Sequence, residues 1–172
     1  MIDLHSLSTF PSILRHVVSI TPESLWRRRS SANVFALVEQ AWHLADLECD
    51  AYAVRIERLL SEDGPAFGDF DGERVAIERR YLEQDLHSAL ERFVATREAN
   101  RERLLRVRPE EWQRRGTQEK VGEITLAGVA ASMLEHDRAH ANEIVGLLPE
   151  LGIAVPEELA SFAGAAPLAR SA

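Results

Sequence analysis

Between Val34 and Ser61 the sequence runs without proline or glycine, while Phe35, Val38, Trp42, Ala45, Cys49, Ala53, Ile56 and Leu60 recur at helical spacing. Only an α-helix places those positions along one side. A long helix with an apolar stripe needs neighbours to cover it, so the rest of the chain must supply further helices or a sheet.

The remaining regular segments read as helices too. Ile13, Leu14, Val17 and Val18 predict a first helix over about Thr9–Val18, and Thr21-Pro22-Glu23-Ser24 predicts a short extra turn with Thr21 as its N-cap. After the breaker Glu62-Asp63-Gly64-Pro65, a long helix is expected from about Arg74 to Val107, carrying Ile77, Tyr81, Leu86, Leu90, Phe93, Val94, Leu104 and Leu105. Pro109 to Trp112 reads as one more turn and Gly116 to Glu123 as a polar connection. Thr125 then caps a final helix reaching about Leu148, with Leu126, Val129, Met133, Ile144 and Leu147 on one stripe. No segment sustains the alternation of a half-buried strand. The expectation is all-α: a four-helix bundle over residues 1–150, followed by a short C-terminal extension over 151–172 with one weak turn from Pro156 to Phe162.

At 172 residues the chain has material for one core. Its 20 Lys and Arg against 28 Asp and Glu leave a formal charge of −8, which disfavours a general nucleic-acid binder. The clusters Arg27-Arg28-Arg29, Arg101 to Arg108 and Arg114-Arg115 are short or interleaved with acids and read as solvated surface. A single cysteine, Cys49, excludes an internal disulfide, and its place on the stripe predicts a buried, inert thiol. No apolar run approaches the roughly 20 residues of a membrane span, and the N-terminus lacks a signal-peptide pattern, so a cytoplasmic protein with no membrane partner is expected.

Chemistry concentrates in Glu135-His136-Asp137-Arg138-Ala139-His140. Histidines at i and i+4 stand one turn apart, and both fall within the apolar stripe of the last helix, so both rings point inward. Two readings follow. The imidazoles either join a buried hydrogen-bond network or share a metal ion with a third ligand, for which His43 on the second helix is the candidate. Neutral imidazoles suit zinc or nickel first and iron or copper next, and three protein ligands with a vacant position describe a catalytic site. Asp46, one turn after His43, and Asp137, between the paired histidines, are candidate catalytic residues that orient ligands or accept a proton, with Glu39 a third acid nearby. His87 reads as solvated, and His5 and His16 are weaker still, although His16 could line a pocket.

The stretch Phe35-Ala36-Leu37-Val38-Glu39-Gln40-Ala41-Trp42-His43-Leu44-Ala45-Asp46-Leu47-Glu48, with Ile124-Thr125-Leu126 and Met133-Leu134-Glu135-His136-Asp137-Arg138-Ala139-His140, resembles the DinB/YfiT-like superfamily of bacterial four-helix-bundle proteins. The resemblance covers roughly residues 8–148. It implies that His43, His136 and His140 bind one divalent metal. It also implies an enzyme acting on a small molecule, either a hydrolase or a transferase using a low-molecular-weight thiol, and a possible homodimer. Relatives often carry Trp-Ser at Phe35-Ala36 and Arg-Gly-Gln at Ala141-Asn142-Glu143. A non-catalytic bundle that binds a metal or ligand, or serves for dimerisation, is the alternative. Ligand histidines must be neutral, so metal-derived stability is expected to fade below a pH of about 6.5.

Overall fold

The computed structural model describes residues 3–30 and 34–164; the end of the expected extension, residues 165–172, lies outside them. A 3₁₀ turn (Ser6–Ser8) leads into α1 (Thr9–Ile20), and after a second one (Glu23–Leu25) come α2 (Leu37–Leu47), a π-helical turn (Glu48–Tyr52) and α3 (Ala53–Ser61), which together form one continuous rod. Next are β1 (Ala66–Phe67), α4 (Gly72–Glu78), a 3₁₀ turn (Tyr81–Glu83), α5 (Leu86–Leu105), another 3₁₀ turn (Pro109–Gln113), β2 (Arg115–Gln118), β3 (Gly122–Thr125), α6 (Leu126–Glu150) and α7 (Glu157–Gly164). Helix α1, the α2–α3 rod, α5 and α6 supply most of the buried apolar side chains.

Those side chains fall into two main clusters. Phe10, Leu14, Val17, Leu37, Leu44, Leu86, Phe93, Ile144 and Leu148 belong to one, and Leu7, Leu47, Ile56, Leu59, Leu104, Leu126 and Met133 to the other. Membership changes between Ala45 and Leu47 on α2, between Phe93 and Leu104 on α5, and between Leu134 and Ala141 on α6. The buried polar residues Asp46, Arg97, Asn100, Asp137 and His140 occupy those intervals, and Glu48 follows at once in the π turn. A polar layer therefore crosses the helices between two apolar ones, and the candidate site belongs to it.

The structure corrects several expectations. The chain is mostly helical but not all-α: β1 pairs parallel to β2, which pairs antiparallel to β3 with Arg115 opposite Thr125. Gly116 allows the β1–β2 approach, since a Cβ there would sit 2.6 Å from the Pro65 carbonyl oxygen. The second helix begins at Leu37, where the Glu39 side chain accepts from the Ala36 amide. Thr21 is not the N-cap of the next turn, a place taken by Pro22, but closes the C-terminus of α1, its hydroxyl donating back to the Val17 carbonyl. The predicted helix from Arg74 to Val107 is two helices, because Arg80 adopts a left-handed conformation (φ 50°) and Asp85 caps a new start by accepting from the Ser88 amide at 2.7 Å. The break folds α4 back against α2. Thr125 caps α6 as expected, accepting from the Gly128 amide at 3.0 Å.

Candidate metal centre

Helix α2 carries His43 and α6 carries His136 and His140, and the packing of the two segments brings the three rings together. His136 Nε2 lies 3.2 Å from His43 Nε2 and 3.1 Å from His140 Nε2. The three residues can each offer one ligand nitrogen within 4.8 Å of the others. Ring centroids are 5.2 Å apart for His43 and His136, 4.8 Å for His43 and His140, and 4.3 Å for His136 and His140. Burial pushes the His43 imidazole down to a pKa of about 4, with the neighbouring His140 adding to the shift. Burial likewise holds His136 well below the usual histidine range. These two rings are therefore neutral at pH 7, as ligation requires.

The rings are held by different means. His140 Nδ1 hydrogen-bonds to the Gln40 side-chain oxygen, and the Gln40 amide nitrogen donates to Glu143 Oε2 at 2.7 Å. Because that amide nitrogen is committed to a carboxylate, Gln40 presents an acceptor to His140; the Nδ1 proton stays there and Nε2 keeps its lone pair. His43 Nδ1, in contrast, is buried with no hydrogen-bond partner among the described residues. Its ring is enclosed by Phe35 and Phe70, at centroid distances of 5.7 and 5.9 Å, and by the backbone of Gly72. His43 and His140 line a cavity of about 370 Å³ with Val34, Phe35, Gly72, Glu73 and Glu143. Hydrogen bonding to His140 and Gln40 keeps the Glu143 carboxyl below its ordinary range, so it is ionised.

Asp46 and Asp137 are not gathered at this cavity. Asp46 is buried and accepts from the Tyr81 hydroxyl at 2.7 Å, and it pairs with Arg79 at 2.7 Å and Arg92 at 3.3 Å. Both carboxylate oxygens of Asp137 accept from Arg97, at 2.5 and 2.9 Å. Arg97 also donates to Glu48, whose other oxygen accepts from Asn100. Glu39 pairs with Arg29. Among the remaining histidines, His16 pairs with Glu158 and His87 packs edge-on to Trp26, so neither joins the cluster. Cys49 is partly buried, and burial raises its thiol. The expected basic clusters meet partners: Arg27 donates to the Leu82 and Gln84 carbonyls, Arg108 pairs with Glu111, and Arg115 pairs with Glu123. Gln40, Glu143 and Gly72 were not read as site residues from the sequence, Glu143 entering only as a departure from relatives. The first two stand three residues from His43 and His140 on the same helix faces, a spacing that contains their signal; Gly72 had none.

The donor set fits a cation. His136 Nε2 faces two other imidazole nitrogens, and His140 Nε2 is the bare one of its ring. With no ion, neutral rings here would leave either two lone pairs opposed or the buried His43 Nδ1–H unsatisfied, whereas one shared ion would engage all three lone pairs. Tetrahedral ligation at about 2.05 Å separates ligand nitrogens by about 3.3 Å, close to the 3.2 and 3.1 Å between His136 Nε2 and the Nε2 atoms of His43 and His140. A mostly helical fold with three convergent imidazoles beside an open cavity defines a class, the helical proteins able to hold a metal in their polar middle. The particular family is the DinB superfamily, to which the chain belongs: the family profile matches residues 6–144. Among solved structures the fold matches YfiT from Bacillus subtilis, described as a probable metal-dependent hydrolase with an unusual four-helix bundle topology. The match has a TM-score of 0.80 at 18% identity and covers 88% of this chain and 86% of that one. The search of curated proteins finds no match.

Proposed function

We propose that the protein is a metal-dependent hydrolase of a small molecule, with His43, His136 and His140 holding one divalent ion, zinc or nickel in preference to iron or copper. The observation that carries this reading is the convergence of three imidazole nitrogens beside an open cavity, with two of the rings kept neutral by burial. His43, His136 and His140 would hold the ion, which would supply Lewis-acid activation of a water and of a substrate oxygen. The described chain supplies the rest. Gln40 fixes the His140 tautomer, and Phe35 and Phe70 flank His43. Glu143, ionised on the cavity wall, accepts a proton from the incoming nucleophile. Asp46 and Asp137 act at a distance, clamping the ligand-bearing helices through their arginines rather than touching substrate. A second cavity of about 380 Å³ shares Phe35 and Glu73 with the first and gives a substrate's remaining atoms somewhere to lie.

Turnover of a panel of chromogenic esters, amides and phosphate esters by zinc- or nickel-loaded protein tests the proposal. Hydrolysis of at least one class should exceed that of the His43→Ala variant, and Glu143→Gln should cost about 10²- to 10⁴-fold in turnover with the ion retained. No turnover by fully loaded protein, with calorimetric binding of bacillithiol, mycothiol or glutathione, would replace hydrolysis by thiol transfer. No turnover and no thiol binding would leave a metal-binding bundle without catalysis.

A further inference from the structure

We infer that Gly72 is a positioning residue for His43, and that the absence of a side chain at this one position of α4 gives the metal centre its third ligand. The inference rests on the metal-binding reading above. Metal-ligating histidines are ordinarily aimed by a hydrogen bond to the ring nitrogen that does not ligate. His140 follows that rule through Gln40, whereas His43 Nδ1 is buried and unpartnered among the described residues. Something other than a hydrogen bond must therefore aim the His43 ring, and what remains is packing. Phe35 and Phe70 flank it, His136 and His140 lie before it, and the Gly72 backbone is in contact with its Cε1–Nδ1 edge.

No other glycine among the described residues meets a histidine in this way. A Cβ built on Gly72 would lie 2.6 Å from His43 Nδ1 and nearer still to Cε1, well inside contact distance. Gly72 opens α4 and its φ is not left-handed, so alanine there is acceptable to the backbone and is the better helix former. The three atoms nearest to such a Cβ all belong to the His43 imidazole. A side-chain ring yields more readily than backbone, so the substitution should leave the fold standing and swing His43 Nε2 away from His136 Nε2.

The test is a double-mutant cycle on metal affinity, with Zn²⁺ titrated into apo-protein against a chromophoric chelator and the visible spectrum of the Co²⁺-loaded protein as a readout of coordination. Gly72→Ala alone should weaken Zn²⁺ binding about 10- to 100-fold, the range for losing a residue that orients a metal ligand. Its Co²⁺ spectrum should move towards that of His43→Ala. In the His43→Ala background the same glycine substitution should change affinity by less than about twofold, because the ring it displaces is gone. Wild-type affinity in Gly72→Ala, or equal weakening in both backgrounds, overturns the inference. If Gly72→Ala fails to fold, the double variant decides: recovery of the fold on removing the His43 ring supports the steric account, and continued unfolding refutes it. A wild-type protein that takes up no Zn²⁺ fails the functional reading and this inference with it, and does so before any variant is made.

Discussion

His43 and His136 are part-buried imidazoles, each desolvated and with no carboxylate hydrogen-bonded to the nitrogens that face one another, and this fixes the sign of their pH dependence. Each titrates below its unfolded value of about 6.5, His43 at about 4, because burial disfavours the cation. Between those values the unfolded chain binds protons that the folded chain refuses. Their contribution to the stability of metal-free protein is therefore fully present above about pH 6.5 and is lost as the pH falls towards about 4. Urea midpoints of apo-protein measured across that window should fall with pH, and the slope should shrink in His43→Ala. A slope unchanged in that variant contradicts the assignment. The same burial revises an expectation drawn from free imidazole: at His43 protons compete with an ion well below pH 6.5, so the metal-derived increment should outlast that pH.

The π turn between α2 and α3 and the break between α4 and α5 do most to shape the site. The π turn presents Glu48 to Arg97 and Asn100, and Arg97 in turn grips Asp137, the neighbour of His136 on α6. Three helical segments are thus tied by one guanidinium that is only 2% exposed. Arg97→Ala would leave two buried carboxylates without their cation and should cost about 3–5 kcal/mol, read as a lowered urea midpoint. A loss below about 1 kcal/mol would mean that the layer relaxes at little cost. Little of this was legible in the sequence. The apolar periods located the long helical stretches, residue type located the cap at Thr125, and the i, i+4 pair located two of the three histidines. A π turn leaves the apolar spacing of its helix almost untouched, so periodicity passes over Glu48–Tyr52. Arg80 is left-handed although nothing in its residue type demands it; tertiary ties, Tyr81 and Arg79 to Asp46, hold the break there. The β2–β3 hairpin has strands of four polar-rich residues, too short to establish an alternation. Gly72 beside His43 exists only because that break returns α4 to α2.

Taken whole, the molecule places polar chemistry between two apolar clusters, where the helices that enclose it also hold its ligands apart from most other donors. No helix among the described residues is long and apolar enough to cross a membrane. If the folded state alone binds the ion, saturation at about 100 times the dissociation constant adds about 2.7 kcal/mol, so chelation should lower the melting temperature by roughly 5–10 °C. The most direct measurement is the metal content of purified protein by elemental analysis, alongside the His43→Ala variant. The account predicts close to one divalent ion per wild-type chain and loss of most of it in the variant. Equal metal in both proteins, or none in the wild type after loading with zinc or nickel, would contradict it.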